Sequence, residues 1–394
     1  MWSAQPCACA AHEPSVPAPL VAEASGRVFA SLVRSGYRLK AEQYVRALLA
    51  VPGRKTLKTI GAQCGGAAAG QSMHHFITAS PWDWRPVRRA LARYAQQALA
   101  PEALVVTPAV VLGTPARPAK ADRSAVRRRV PAEAAPQALG AWLVSVAGSV
   151  PVDWHLMPLP RLGGAAGSHP GTGTHSASTT SAPVAAGGLH AHVLETAADA
   201  ARLLRPWRGP VVVDADGPDA VDTVHGLLTR GDDFIVRVAA GTPLRIDRSR
   251  LPRCDARQST AAGLAAALTE LRRPLDPCGT GVTAAAIPVT LEPRSTRDDP
   301  PALLLLGQWE RGRRPRSLWV TNIRSLPLPA LLRLARLPDR VRHDMADVSA
   351  RLGLRDYSGR SYRGCHHHLT LVSVAQLLAV LHAAADGPAH PCAA

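Results

Sequence analysis

Apolar residues recur at helical spacing from about residue 28 to residue 99. Tyr44, Leu48 and Leu49 share one face, Leu57 and Ile60 begin a second, and Val87, Leu91 and Tyr94 repeat after a turn at Ser80 and Pro81. This predicts a small helical domain over residues 28–100. The pattern then changes. The run Ala103, Leu104, Val105, Val106 predicts a strand, and strands at 141–146 and 150–154 joined by Ala147, Gly148 and Ser149 predict a hairpin. A helical stretch at 193–204 leads to Val211, Val212, Val213 and Asp214, then to a helix near 219–229 and a strand at 234–238. Strand, helix, strand is an α/β signature, and a continuous apolar run suits a strand buried on both faces. Asp214 ends that run, at the strand edge where α/β sheets hold their ligands.

Residues 240–315 read as an irregular inserted module with short strands near 286–291 and 303–306. A strand at 318–322, helices at 329–337 and 340–352, a basic histidine-rich loop and a last helix at 370–385 follow. Three stretches carry no hydrophobic period: an Ala/Pro-rich leader at 1–27, a Gly/Ser/Thr/His-rich insertion at 162–188 within a region spanning 101–239, and a tail at 386–394. Low-complexity composition of this kind predicts disorder in the leader and flexibility in the insertion.

A chain of 394 residues is long enough for two or three domains. Its net charge is +17, and only Lys40, Lys55, Lys58 and Lys120 among the 46 basic residues are lysine. Guanidinium forks match phosphates, which puts nucleic acid first among partner classes. GC-rich coding, which enriches Ala, Arg, Pro and Gly together, accounts for such a composition equally well. The seven cysteines are scattered and no CxxC pair occurs, which argues against a disulfide framework or zinc ribbon and for a reduced, cytoplasmic setting. With no long uninterrupted apolar run, a soluble intracellular protein with no membrane partner is expected.

Candidate chemistry is narrowed by elimination. There is no GxSxG elbow and no phosphate-loop lysine, since Lys55 follows Arg54. Cys365, His366, His367 and His368 are metal-ligand types, but adjacent residues do not easily converge on one ion, so loop or helix-start histidines are expected. Two-metal phosphodiester chemistry needs carboxylates from separate elements around ions ~3.5–4 Å apart. Asp214 suits one such ligand; others are to be sought near Val105 and in helix 340–352.

Several blocks carry a resemblance: AEQYVRALL from Ala41, RKTL from Arg54, FITASPWDW from Phe76, SVPVDWHL from Ser149, PVVVD from Pro210, and GLRDYSGRSYRGCHHHLTL from Gly353. Together, and in this order, they resemble the DDE superfamily endonucleases, insertion-sequence transposases of the actinobacterial branch. The resemblance implies an α/β, ribonuclease-H-like mixed sheet with helices, preceded by a small helical DNA-binding domain and interrupted by an irregular β-containing insertion before a final strand and catalytic helix at 316–385. It implies two aspartates and a glutamate binding magnesium or manganese, double-stranded DNA at insertion-sequence ends as partner, and a homodimer. Carried over residue by residue, the second aspartate is Asp214, as catalytic and metal-binding residue. The first falls on Thr107 and the glutamate on Arg342, so two of the three acids are replaced, with Asp344 and then Asp347 as fallback acids. The expected phosphate contacts are Arg46, Arg54, Lys55 and Lys58 in the helical region and Arg360 and Arg363 near the last helix. The expectation is a transposase-like DNA-binding protein with a degraded triad; the alternative is a non-catalytic remnant or regulator of related transposases.

Overall fold

The structure, a computed structural model, describes residues 16–112, 138–157, 189–215, 217, 219–252, 259–275, 282–291, 301–310, 314–359 and 361–386. Among the described residues, five helices come first: α1 (Ala18–Val28), α2 (Ser35–Ala50), α3 (Leu57–Gln63), α4 (Ala67–Thr78) and α5 (Trp84–Leu99). Then come β1 (Ala103–Ala109), β2 (Ala138–Val144), β3 (Ser149–Leu156), α6 (Leu189–Leu204), β4 (Val211–Val213), α7 (Ala220–Arg230) and β5 (Phe234–Val238). The remainder holds β6 (Arg245–Ile246), α8 (Ala261–Ala267), β7 (Arg273–Pro274), β8 (Thr283–Thr290), β9 (Leu303–Trp309), β10 (Ser317–Thr321), α9 (Leu328–Ala335), α10 (Leu337–Asp344) and α11 (Tyr362–Ala385).

Local chemistry sets several boundaries. Asp83 caps α5 by accepting the Arg85 N–H at 2.9 Å, and Thr56 caps α3 through the Thr59 N–H at 3.1 Å. Gly231 closes α7 at φ 68°, a left-handed cap that releases the chain into β5. One mixed sheet runs β3-β2-β1-β4-β5-β10-β9-β8-β6, with β7 paired to β8. The central strand β4 is parallel to β1 and β5, the other pairings being antiparallel. Strand alternation sorts the covering helices. Trp154 donates to Ser373 of α11 at 3.0 Å, whereas its neighbour His155 meets His192 of α6 at 3.0 Å on the opposite face.

The structure departs from the sequence pattern in three places. Composition predicts a disordered leader over residues 1–27, yet α1 begins at Ala18 and buries Val21, Ala24 and Val28 against α2 and α5; its apolar 3–4 spacing is hidden in Ala/Pro-rich sequence. Residues 240–315 do not form a module apart from the sheet. β10 bonds to both β5 and β9, so β8 and β9 extend the sheet that starts at β3. The histidine-rich segment is helix rather than loop: Ser361 accepts the Gly364 N–H at 3.1 Å and α11 starts eight residues before the apolar stretch read as its beginning. The insertion at 162–188 and most of the tail lie outside the described residues, as do residues 1–15 of the leader.

One hydrophobic core runs from α1 through the sheet to α11. Helix α11 is long and apolar enough to cross a membrane, but 67% of that window is buried in the molecule, where it packs on α2, α4, α5 and β3. It is a core helix that joins the helical region to the sheet.

Candidate functional site

The centre of the site is set by strand register. Val106 of β1 pairs with Val213 of β4, so the next residues, Thr107 and Asp214, stand side by side where the parallel strands end, and the Asp214 N–H donates to the Val106 carbonyl at 2.9 Å. Both are buried. Oδ1 of Asp214 accepts a hydrogen bond from Nη1 of Arg237 at 2.9 Å, and Oδ2 accepts one from Nη1 of Arg342. Arg237 belongs to β5 and lies 6.0 Å over the Trp319 ring of β10. Arg342 reaches in from α10 and also pairs with Asp339, one turn earlier on the same helix. A cleft of about 400 Å³ opens beside these residues, lined by Arg237, Gln308, Trp319, Asp339 and Arg342 among others.

Divalent ions of the two-metal type need several carboxylate oxygens facing one volume. Where the β1–β4 pairing ends stand a hydroxyl, one carboxylate and two guanidiniums bonded to that carboxylate. A guanidinium is a permanent cation and offers no lone pair. This donor set does not fit a divalent ion. Among the described residues, two groups of His and acidic side chains have ligand atoms within 4.8 Å of one another, and neither includes Asp214.

Asp344 does not join Asp214. Its Oδ2 accepts from the Ser149 N–H and hydroxyl, both at 2.8 Å, and its two oxygens accept from Nε of Arg340 at 3.0 and 3.1 Å. The carboxylate thus ties α10 to the start of β3. A helix turns ~100° per residue, which places residues 342 and 344 on different faces of α10. Asp347 is exposed and pairs with Arg351.

The basic residues divide. Arg54 approaches Asp356 at 3.6 Å and is half exposed, Lys58 and Arg363 are exposed, and Arg46 pairs with Glu42 at 2.6 Å. Lys55 is 5% exposed, and its backbone N–H donates to Asp356 at 2.7 Å. The segment leading to α11 is thereby fixed against the turn before α3. Gly353 permits the approach, because at φ 82° an added Cβ would come within 2.5 Å of the Lys55 side chain. Arg360 lies outside the described residues.

The three histidines are core residues. Nη2 of Arg88 donates to Nδ1 of His366 at 2.9 Å, and His368 meets the Tyr44 hydroxyl at 3.0 Å and the Gly353 carbonyl at 2.9 Å. His367 faces the Ile77 and Trp82 carbonyls at 2.8 and 2.9 Å and stacks on Trp82. Burial pushes all three pKa values below the ordinary 6.5, that of His367 to about 4, and burial pushes the Cys365 thiol up to about 12. Sequence reasoning missed Arg237 and Arg88. An arginine inside the apolar run of β5 was the available signal, since a charge there requires a buried partner.

With this geometry in place, the family model described as DDE superfamily endonuclease matches residues 27–263, more than half of the chain's 394 residues. The chain belongs to that family. No curated protein matches it. As a DDE superfamily endonuclease it carries the mixed sheet expected of the fold, and the matched span includes β1, β4 with Asp214, and β5 with Arg237. DDE superfamily endonucleases use divalent metals on a DNA substrate. In this member, Arg342, which lies beyond the matched span, meets the Asp214 carboxylate.

Proposed function

We propose that this DDE superfamily endonuclease is a transposase-like, cytoplasmic DNA-binding protein that no longer cuts DNA by two-metal catalysis. The observation that carries the reading is Arg342 bonded to Asp214, a cation standing where the resemblance puts a metal-binding glutamate. Thr107 beside Asp214 points the same way, because a neutral hydroxyl is a poor substitute for a bridging carboxylate. The partner is double-stranded DNA, and insertion-sequence ends are the first sequence to try. Phosphate contact is assigned to Arg54, Lys58 and Arg363, with Arg46 held back by Glu42. Lys55 acts inside the fold instead, given its burial.

The test is binding and cleavage of labelled DNA carrying the inverted repeats that flank the gene. The expected result is metal-independent binding that weakens by ~10³-fold or more between ~50 and ~200 mM salt, without cleavage in magnesium or manganese. Metal-dependent cleavage that Asp214→Ala abolishes would overturn the loss of catalysis. A flat salt response would overturn DNA binding itself.

A further inference from the structure

On the opposite face of the sheet, away from the Asp214 site, β3 and α6 bring together side chains to which no role has been given. His155 of β3 places Nε2 3.0 Å from Nδ1 of His192, and its Nδ1 lies 3.8 Å from the Glu195 carboxylate. His192 and Glu195 are three residues apart on α6, so they project from one face of that helix. The relevant atoms of the three residues all lie within 4.8 Å of one another.

We propose that His155, His192 and Glu195 bind a zinc-type divalent cation, with a fourth position open to the adjoining cleft. Two nitrogens held 2.0–2.1 Å from a tetrahedral ion are about 3.3–3.4 Å apart. The two imidazole nitrogens therefore need to separate by only a few tenths of an ångström to accept the ion in place of their shared proton. Glu195 closes the remaining gap by a rotamer change, which its 58% exposed side chain allows. The donor set of two imidazoles and one carboxylate suits zinc and not magnesium, which prefers all-oxygen shells.

The surrounding charge is balanced. The cleft, of about 410 Å³, is lined by His155 and Glu195 together with Arg85, Arg88, Arg89 and Arg202. Arg88 is paired with Asp153 and Arg202 with Asp199, while Arg85 and Arg89 are exposed to screening solvent. The Glu195 carboxylate lies 3.8 Å from Nδ1 of His155 and is exposed enough to turn toward the site.

Full-length protein stripped of metal is titrated with zinc in competition with a chromophoric chelator. One equivalent is expected to bind in the wild type and to be lost in His155→Gln and in His192→Gln, with at least ~10-fold weakening in Glu195→Gln. His74→Gln, an exposed position on α4, should bind as the wild type does. Cobalt should give visible ligand-field absorption in the wild type that His192→Gln lacks. Zinc should also raise the thermal midpoint of the wild type but not that of folded His192→Gln, verified by circular dichroism. Equal stoichiometry and affinity in both histidine variants, or zinc binding no tighter than magnesium, would overturn the site.

Discussion

Two arginine–carboxylate clusters join distant segments of this chain, and they differ in how far they are closed to water. In the first, Arg88 of α5 is 3% exposed and has an acceptor in every direction. Nη1 donates to Asp153 at 2.8 Å and to the Trp154 carbonyl at 3.1 Å, Nε to Thr370 at 2.9 Å, and Nη2 to His366. In the second, the Asp214 side chain is 4% exposed, but its partners Arg237 and Arg342 are 31% and 46% exposed. The enclosed cluster belongs to the fold, because a buried guanidinium is tolerated only when its donors are satisfied. The open cluster lines a cleft. There the residue at 342 needs charge complementarity more than shape, so a base can stand on α10 without disturbing the sheet beneath it. The same sheet thus carries one ion pair sealed in the core and another open to a cleft at the strand ends.

The largest effect is expected from removing the enclosed charge. Arg88→Met leaves Asp153 without its partner and should cost ~3–5 kcal/mol in urea unfolding. A loss below ~1 kcal/mol would mean that the cluster is not part of the fold's foundation. Acid tests the same region without mutation. His366, His367 and His368 take up protons less readily folded than unfolded, so the stability they lend is present above pH 6.5 and is lost as pH falls toward about 4. The slope should approach ~1.4 kcal/mol per pH unit for each histidine involved. Unfolding curves at neutral pH and near pH 5 measure it, and coincident curves would contradict it.

At the open cluster the expected effect is smaller. Asp214→Ala removes two charge-assisted hydrogen bonds but leaves arginines that can turn to water, so ~1.5–3 kcal/mol is the upper range. A double-mutant cycle with Arg342→Ala should show coupling between the two positions. A loss as large as that of Arg88→Met would erase the distinction. The smallest effects on folding belong to the surface bases. Arg54→Ala and Arg363→Ala should change stability by no more than ~0.5 kcal/mol, yet each should lower the salt slope of DNA binding by about 1. Lys55→Ala should do the reverse, costing stability while leaving that slope unchanged, because its side chain is buried.

Much of the sheet could be read along the chain. The continuous run Val211–Val213 and the apolar run from Ala103 are strands buried on both faces, and β5 lies where its pattern put it. Asp214 was marked by its place at the end of such a run. Periodicity failed where composition hid it, as in α1, and where polar residues are buried by partners far away in sequence. His367 looks like a loop residue until Ile77 and Trp82 are brought to it, 290 and 285 residues away.

Local spacing and residue type were enough to mark the strand and helix order around Asp214, the basic charge and the family blocks. Folding brings Arg237 and Arg342 to the Asp214 carboxylate, Asp344 to β3, Lys55 to the interior and His155 to His192. Each of those is a contact between residues distant along the chain, and strand register and helix rotation, which local pattern does not encode, decide which side chains face each other.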